Sequence, residues 1–390
     1  MIYRKIKADN LFDGYNFREQ QVLIVSEEGI IETIMPAEEA GEDIETLKGI
    51  LTPGFINCHC HLELSHMKGL IAEGTGLVDF VFKIITQRHH TEEEIRKAIT
   101  KAEDEMVKNG IVAVGDICNN DLTLDQKQEH RLHYFNFIES SGWLPALSDT
   151  RFSRALQLFK EFSKKLIINN AHSIVPHAPY SVSEDLWVHI QPYFEKRVVS
   201  IHNQETIFED QFFREGKGDF IRMYELMKIS NEHHNPTGLS SLQSYYKKLS
   251  GALRIILVHN TFTSQEDIDF INHNFPEERY KTFFCLCPNA NLYIENILPP
   301  IQMFRDNKCC IVLGTDSLAS NRSLNIPDEI KTIRKQFPAI PLEETLRWAT
   351  SNGARALGME EQLGSFEKGR KPGVFLLNIE ETNYQVKKIM

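Results

Sequence analysis

Eight short runs of apolar and β-branched residues, separated by longer segments of helical periodicity, constrain this chain more than any other feature. They are GFINCHCHL (54–62), GIVAVGDI (110–117), HYFNFIE (133–139), HSIVPHA (172–178), VVSIHN (198–203), RIILVHN (254–260), KTFFCLC (281–287) and CCIVLGTD (309–316). Strand-length apolar runs alternating with helices are the pattern of βα units around a parallel sheet. Eight such units match the size of a (β/α)8 barrel. A doubly wound sheet would give the same alternation, and periodicity alone does not separate the two. No repeat of 20 to 50 residues is present, which argues against a solenoid.

The ends of the chain read differently. Residues 1–52 are short strands punctuated by the turn signals Asp13-Gly14 and Glu28-Gly29, and the last stretch, PGVFLLNIE from Pro372, is strand-like again. It follows a helical segment at 341–357 that ends toward Gly358. The two ends are therefore expected to pair into one sheet domain. With 390 residues the chain exceeds the roughly 250 to 300 at which one core stops growing, as a large domain plus a smaller one requires.

Charge and composition exclude several partners. A net charge of −11 offers no basic footprint for a nucleic acid polymer. No apolar run approaches the roughly 20 residues of a spanning helix, and MIYRKIKADN has no apolar region behind its cations, so the expected location is the cytoplasm without a membrane role. Seven cysteines, an odd number without a C-x-x-C, indicate neither a disulfide framework nor an all-cysteine metal site.

The polar exceptions in the apolar runs cluster near their C-terminal ends: His59 and His61 in the first, His177 in the fourth, His202 in the fifth, His259 in the sixth and Asp316 in the eighth. In a barrel those ends form the active-site mouth. A single such histidine is more often a hydrogen-bonded core residue than a ligand; four runs ending this way, plus an aspartate, reverse the odds. Residues i and i+2 of a strand share a side, so His59 and His61 project together, about 6 to 7 Å apart at Cα, while Cys58 and Cys60 face the helices. Neutral imidazoles, one carboxylate and an open position suit one catalytic divalent metal, Zn2+ first, with Fe2+ or Mn2+ as alternatives. His202 and Asp316 are the expected third and fourth ligands. Glu205, just past His202, is then placed for proton transfer; standing alone it would read as a surface carboxylate.

These residues fall inside longer motifs. Thr52-Pro53-Gly54-Phe55-Ile56-Asn57 leads into His59-Cys60-His61. His202 and Glu205, the VHN around His259, Cys287-Pro288-Asn289-Ala290-Asn291, and Gly314-Thr315-Asp316 with Ser320-Asn321 and Leu324-Asn325 follow in order. The tail carries Asn352-Gly353-Ala354 and Gly364-Ser365-Phe366-Glu367. Together they resemble the amidohydrolase superfamily over nearly the whole chain. The likeness is to the mononuclear branch that holds guanine and cytosine deaminases, adenosyl-type nucleoside and aminofutalosine deaminases and triazine chlorohydrolases. Binuclear members bridge two metals with a modified lysine on the fourth strand, and the fourth run here has none.

The resemblance implies an α/β fold, a (β/α)8 TIM-like barrel over 53–365, with a small β-sandwich from 1–52 and 366–390. It implies a hydrolytic deaminase of an aminated purine-type ring, a nucleoside or derivative such as aminofutalosine, releasing ammonia. His59, His61, His202 and Asp316 would hold the metal, Glu205 would move the proton, and His259 and Asp316 would steady the reacting centre. His177, Glu63 and Asn291 would touch a small-molecule substrate. Relatives are often dimers, and the sequence leaves a homodimer open. The alternatives are the same site acting on a chlorinated ring or cyclic amide, and a ligand-binding relative without catalysis. The final strand, after Gly369-Arg370-Lys371-Pro372, departs from the family's usual Ala-Asp-Leu, a change expected to affect packing only.

About fifty residues between the fifth and sixth runs exceed one crossover helix and form a candidate lid. Its Arg214 and Arg222, and the pairs His89-His90 and His233-His234, are expected at the solvated surface.

Overall fold

The computed structural model of the chain describes residues 3–166, 170–380 and 383–390. The first five strands are β1 (Tyr3–Phe12), β2 (Phe17–Arg18), β3 (Gln21–Ser26), β4 (Ile31–Pro36) and β5 (Ile44–Pro53). The last two, β14 (Val374–Ile379) and β15 (Tyr384–Lys388), join them in one seven-stranded sheet of order β15-β14-β5-β1-β3-β4, with β2 on β1. The expected pairing of the chain ends is the antiparallel β14–β5 ladder, in which Val374 faces Pro53 and Leu377 faces Ile50. Alternate apolar residues, among them Ile6, Leu23, Val25, Leu51, Val374 and Leu376, bury one face.

Only Gly54 separates β5 from the next strand. A side chain there would come within 2.3 Å of Val112, so glycine is what allows the chain to pass from one sheet to the next. Beyond it lie eight parallel strands in two sheets of four. The first contains β6 (Phe55–Cys60), β7 (Ile111–Cys118), β8 (His133–Ser140) and β9 (Asn170–Pro176); the second contains β10 (Val198–Asn203), β11 (Arg254–His259), β12 (Thr282–Leu286) and β13 (Cys310–Leu313). Each is one of the eight apolar runs, with boundaries shifted by at most three residues. The edges of the two sheets meet twice. At one seam the His202 N–H donates to the His177 carbonyl at 2.9 Å; at the other, the N–H groups of Thr315 and Asp316 donate to the His59 carbonyl at 3.0 and 3.1 Å. Asn57 reinforces the second seam, donating to the Thr315 hydroxyl at 2.7 Å and accepting the Thr315 N–H at 3.1 Å. Site residues thus form the seams.

One expectation needs revision. The helical segment 341–357 is two helices, Leu342–Ala349 and Ser351–Leu357, broken at Thr350, whose φ of −129° and ψ of −94° are not helical. The lid segment holds helices Ile207–Glu215, Asp219–Met227 and Ser241–Tyr245, and the middle one packs on the helix Leu77–Gln87. Around that contact Leu77, Phe80, Trp143, Tyr180, Phe212, Phe220 and Tyr224 form a second apolar cluster, separate from the core among the parallel strands. Among the described residues no helix is long and apolar enough to cross a membrane, and all seven cysteines are free thiols.

Candidate active site

The C-terminal ends of the parallel strands open into a cavity of about 880 Å3, within the usual range for small-molecule sites. His61, His177, His202, Glu205, His259, Asp316 and Glu63 all line it. At its floor, one ligand atom each from His59, His202, His259 and Asp316 lie within 4.8 Å of one another. His61 completes the group: its Nε2 stands 3.2 Å from His202 Nε2 and 3.4 Å from Asp316 Oδ1. His59 and His61 do project together, with ring centroids 4.9 Å apart, and Cys58 faces away, its thiol toward the Gly353 carbonyl.

Hydrogen bonds behind these rings set their protons. The His177 carbonyl can only accept, so His202 Nδ1, 2.8 Å from it, carries hydrogen and its Nε2 presents a lone pair to the centre. Ser320 donates to Asp316 Oδ2 at 2.5 Å, leaving Oδ1 to face His59 Nε2 at 3.5 Å. Burial pushes the imidazoles toward the neutral form: His61 down to about 3, His177 and His259 down to about 4, and His202 well below the usual range. Burial opposes ionisation of Asp316, but the His59 ring and the neighbouring imidazoles hold its carboxyl well below its ordinary value. Neutral imidazoles around an ionised carboxylate are the protonation states a divalent cation needs.

The test of fit is His59. It is fully buried and neither of its ring nitrogens has a hydrogen-bond partner. An orphaned nitrogen in a core is costly, and Nε2, which faces Asp316 at 3.5 Å, is the one that an ion among these neighbours would take. With three further donors aimed at the same point, a divalent metal ion fits. Backbone geometry adds to the case: His259, Asn260 and Asp316 have φ of 74°, 58° and 57°, the left-handed region that non-glycine residues seldom adopt. Such departures cost of order 1 to 3 kcal/mol each and collect at functional sites.

Glu205 stands beside this centre. Its Oε1 is 3.6 Å from His259 Nε2, and burial, with Asp316, Glu295 and Glu209 adding repulsion, holds its carboxyl well above the ordinary range. Asn291, expected at the substrate, lies instead behind His259, with Oδ1 3.4 Å from Nδ1 and its amide donating to the Thr261 hydroxyl. It is buried in the helix Pro288–Ile294 and is not among the residues lining the cavity. His177 lines the wall beside His202, their rings 4.8 Å apart, with Nδ1 against the Ser181 hydroxyl at 2.7 Å.

Much of the wall and roof is apolar, from Leu64, Phe80, Val81, Trp143, Met223 and Tyr224 among others, beside polar side chains such as Glu63, Asn119, Glu139 and His177. Arg222 grips no ligand: it is ion-paired to Asp79 at 2.8 Å and Asp219 at 2.6 Å, clipping the two roof helices together. His89 and His90 are exposed as expected, though at the cavity rim. His233 and His234 are not free surface. His234 stacks on Phe212 at 4.0 Å and its Nε2–H donates to the Phe212 carbonyl at 3.1 Å, because the loop folds back over the roof helix.

Sequence reasoning missed three residues. Glu139, near the end of β8, lines the cavity with a buried side chain. Asp116 and Lys127 form an ion pair at 2.5 Å with neither side chain exposed, and Asp116 Oδ1 accepts the N–H of Leu62 at 2.8 Å, fixing the backbone next to His61. Asp116 was legible as a charge inside an apolar run, GIVAVGDI; Glu139, at the end of HYFNFIE, carried the same signal.

Comparison with known proteins agrees with this architecture. The adenosine deaminase of Helicobacter pylori is 24% identical over 338 residues, covering 85% of this chain and 80% of its own. The crystal structure of Helicobacter pylori aminofutalosine deaminase in complex with methylthio-coformycin superposes with a TM-score of 0.81 at 23% identity, covering 97% and 93% of the two chains. That of an adenosine deaminase from Xanthomonas campestris with bound zinc gives 0.71 at 20% identity over 96% and 84%. At these identities the structural likeness speaks for the fold, an α/β fold of TIM-barrel type. The profile of the amidohydrolase family matches residues 50–389, so the eight parallel strands, the seams and the histidine-aspartate centre fall within it, and the chain belongs to the amidohydrolase family of carbon–nitrogen hydrolases.

Proposed function

We propose that this chain is a metal-dependent aminohydrolase that replaces the exocyclic amine of an adenine-type nucleoside with oxygen and releases ammonia. In this reading the two four-stranded sheets close into one (β/α)8 barrel over 53–365, and 1–52 with 366–390 make the small β domain. The names of the relatives, adenosine and aminofutalosine deaminase, support the substrate class. His59, His61, His202 and Asp316 would hold the ion, with zinc favoured by the donor set and by the zinc-bound relative. His259 is the donor left over, because its Nε2 is already turned toward Glu205.

When bound, the ion supplies a Lewis acid that makes water nucleophilic near neutral pH. The protein does the rest. Glu205 takes a proton from the attacking water and delivers it to the ring nitrogen beside the reacting carbon, so that the carbon accepts the oxygen. His259 and Asp316 hold the new C–O group while that carbon is tetrahedral. The second water proton passes through Glu205 to the amine, the C–N bond breaks, and ammonia leaves with a C=O in its place. His177, its Nδ1–H held by Ser181, offers Nε2 to the ring or its substituent. The apolar walls exclude water and lower the local dielectric around these charges. The expected partner is this small molecule, with location in the cytoplasm.

The observation that carries the reading is the buried Glu205 carboxyl against His259 at the edge of a five-donor centre. An ammonia-release screen over adenine-, guanine- and cytosine-type nucleosides and bases, on metal-loaded protein, tests it. Turnover of an adenine nucleoside is expected, falling about 10²- to 10⁴-fold in Glu205→Gln with metal content unchanged. Chloride release from a halogenated ring, with ammonia from no aminated one, would overturn it.

A further inference from the structure

Gln204 and Glu205 exchange the places that strand alternation would give them. His202 and Asn203 end β10, and His202 lines the cavity. In a strand continued straight, Gln204 would follow His202 inward and Glu205 would follow Asn203 toward the outer helices. Instead Glu205 lines the cavity, while Gln204 is fully buried and is not among the lining residues. The exchange is made at Gln204 itself, whose φ of 45° lies in the left-handed region that favours glycine.

A side chain in that conformation persists where its surroundings hold it. Hydrogen bonds reach each polar atom of Gln204. Its backbone N–H donates to Glu209 Oε1 at 2.9 Å, and its carbonyl accepts the N–H of Phe262 at 2.9 Å. Its Nε2 donates to Asp210 Oδ1 at 3.1 Å and Asp267 Oδ2 at 2.9 Å; its Oε1 accepts from Thr263 Oγ1 at 2.7 Å and Asn203 Nδ2 at 3.2 Å. Turning the amide over would set its oxygen against two carboxyl groups, so the neighbours impose this orientation.

Apart from Asn203, the partners come from the helix Ile207–Glu215, the turn after β11 and the first turn of the helix Gln265–Asn274. The turn after β11 is the one that follows His259. Asn260 in it gives its N–H to the Asn203 carbonyl at 3.0 Å and, like His259, has a positive φ. Gln204 therefore ties the two turns together next to the point where Glu205 Oε1 and His259 Nε2 stand 3.6 Å apart.

We infer that Gln204 is a positioning residue for the proposed reaction: its clamped amide fixes the left-handed turn that swings Glu205 into the cavity and sets its spacing from His259. The inference rests on the proton-transfer role given to Glu205.

The test is a double-mutant cycle on metal-loaded protein. Gln204→Ala and Gln204→Gly remove the amide, the second while tolerating positive φ, and Thr263→Val removes one hydroxyl as the milder change. The Gln204 variants are expected to lose about 10- to 100-fold in kcat, and Thr263→Val less, with KM and metal content unchanged, because the loss falls on proton transfer. In a Glu205→Gln background the same changes should cost almost nothing, since the group they position is already gone. A merely structural Gln204 would cost as much in both backgrounds. That equality would overturn the inference, as would metal lost in step with activity, or Gln204→Gly with wild-type kcat. Crystal structures of the variants need no turnover. The Glu205 carboxyl is expected to leave its place beside His259; a carboxyl that keeps its 3.6 Å separation in all three variants would overturn the inference. A displaced carboxyl with ammonia from no nucleoside would keep the positioning role and overturn the reaction.

Discussion

Two buried charges show how far single residues shape this site. Lys127 has no exposed atom to speak of; besides Asp116 it meets Asn136 Oδ1 at 2.8 Å and stands over the rings of Tyr134 and Phe162 at 4.9 and 5.2 Å. Such a pair adds little over an apolar packing but is expensive to break from one side. Lys127→Met, which strands the Asp116 carboxylate, is expected to cost about 3 to 5 kcal/mol in urea unfolding. Asp116→Asn with Lys127→Met should recover much of that loss, because Asn keeps the acceptor for Leu62. Glu209 supplies a pH signature. Burial pushes its carboxyl up to about 8 from an ordinary 4.5, and its Oε2 is unpartnered while Oε1 accepts from Gln204 and Ser241. The folded state then keeps a proton the unfolded chain releases, so its contribution is complete below pH 4.5 and is lost as pH rises toward 8. In Glu209→Gln, denaturation midpoints measured between pH 5 and 8 should fall less steeply with pH than in wild type; an unchanged slope would show that Glu209 is ionised in the fold.

At the scale of elements, close approach between strands decides the centre. Gly314, at the end of β13, lies against β6: a Cβ there would meet His59 Cβ at 2.8 Å and the thiols of Cys285 and Cys287 at 2.9 and 3.0 Å. Gly314→Ala must push His59 out of line or part the seam. A loss of about 1 to 3 kcal/mol in stability is expected, with weaker metal retention during dialysis against a chelator. The strand runs themselves were legible, since a parallel strand buried on both faces is mostly apolar. The break at Thr350 was not, because helical periodicity continues across it and the interruption belongs to packing. Nor was the fate of Arg222: its charge was visible, but its partner Asp79 lies in a helix 143 residues earlier.

For the whole molecule, the proposed metal centre would also be a fastening. Its donors come from β6, β10, β11 and the loop after β13, so they sit at the junction of the two parallel sheets. An ion that binds the folded chain and not the unfolded one stabilises it by about 2.7 kcal/mol at a free concentration 100 times its Kd. Chelation should therefore lower Tm by several degrees, and re-addition of zinc should restore it; calorimetry that finds no difference would argue against a metal shared across the seam. The chain ends serve the same closure from outside, since β5 runs through Gly54 straight into β6 while β14 locks β5 in place.

What the amino-acid sequence determined alone is the order of eight buried strands and the chemical type of the residues at their ends, because burial and alternation act locally and leave a local pattern. His59, His61, His177, His202, Glu205, His259 and Asp316 could be named for that reason; all but His59 line one cavity, and His59 is buried against His202, His259 and Asp316. The tertiary structure alone decided which nitrogen of each ring is free, that Asn291 supports His259 instead of facing the cavity, and that Asn119 joins Glu63 to Glu139. Those facts depend on hydrogen bonds between residues distant along the chain, whose directions exist only once the strands have met.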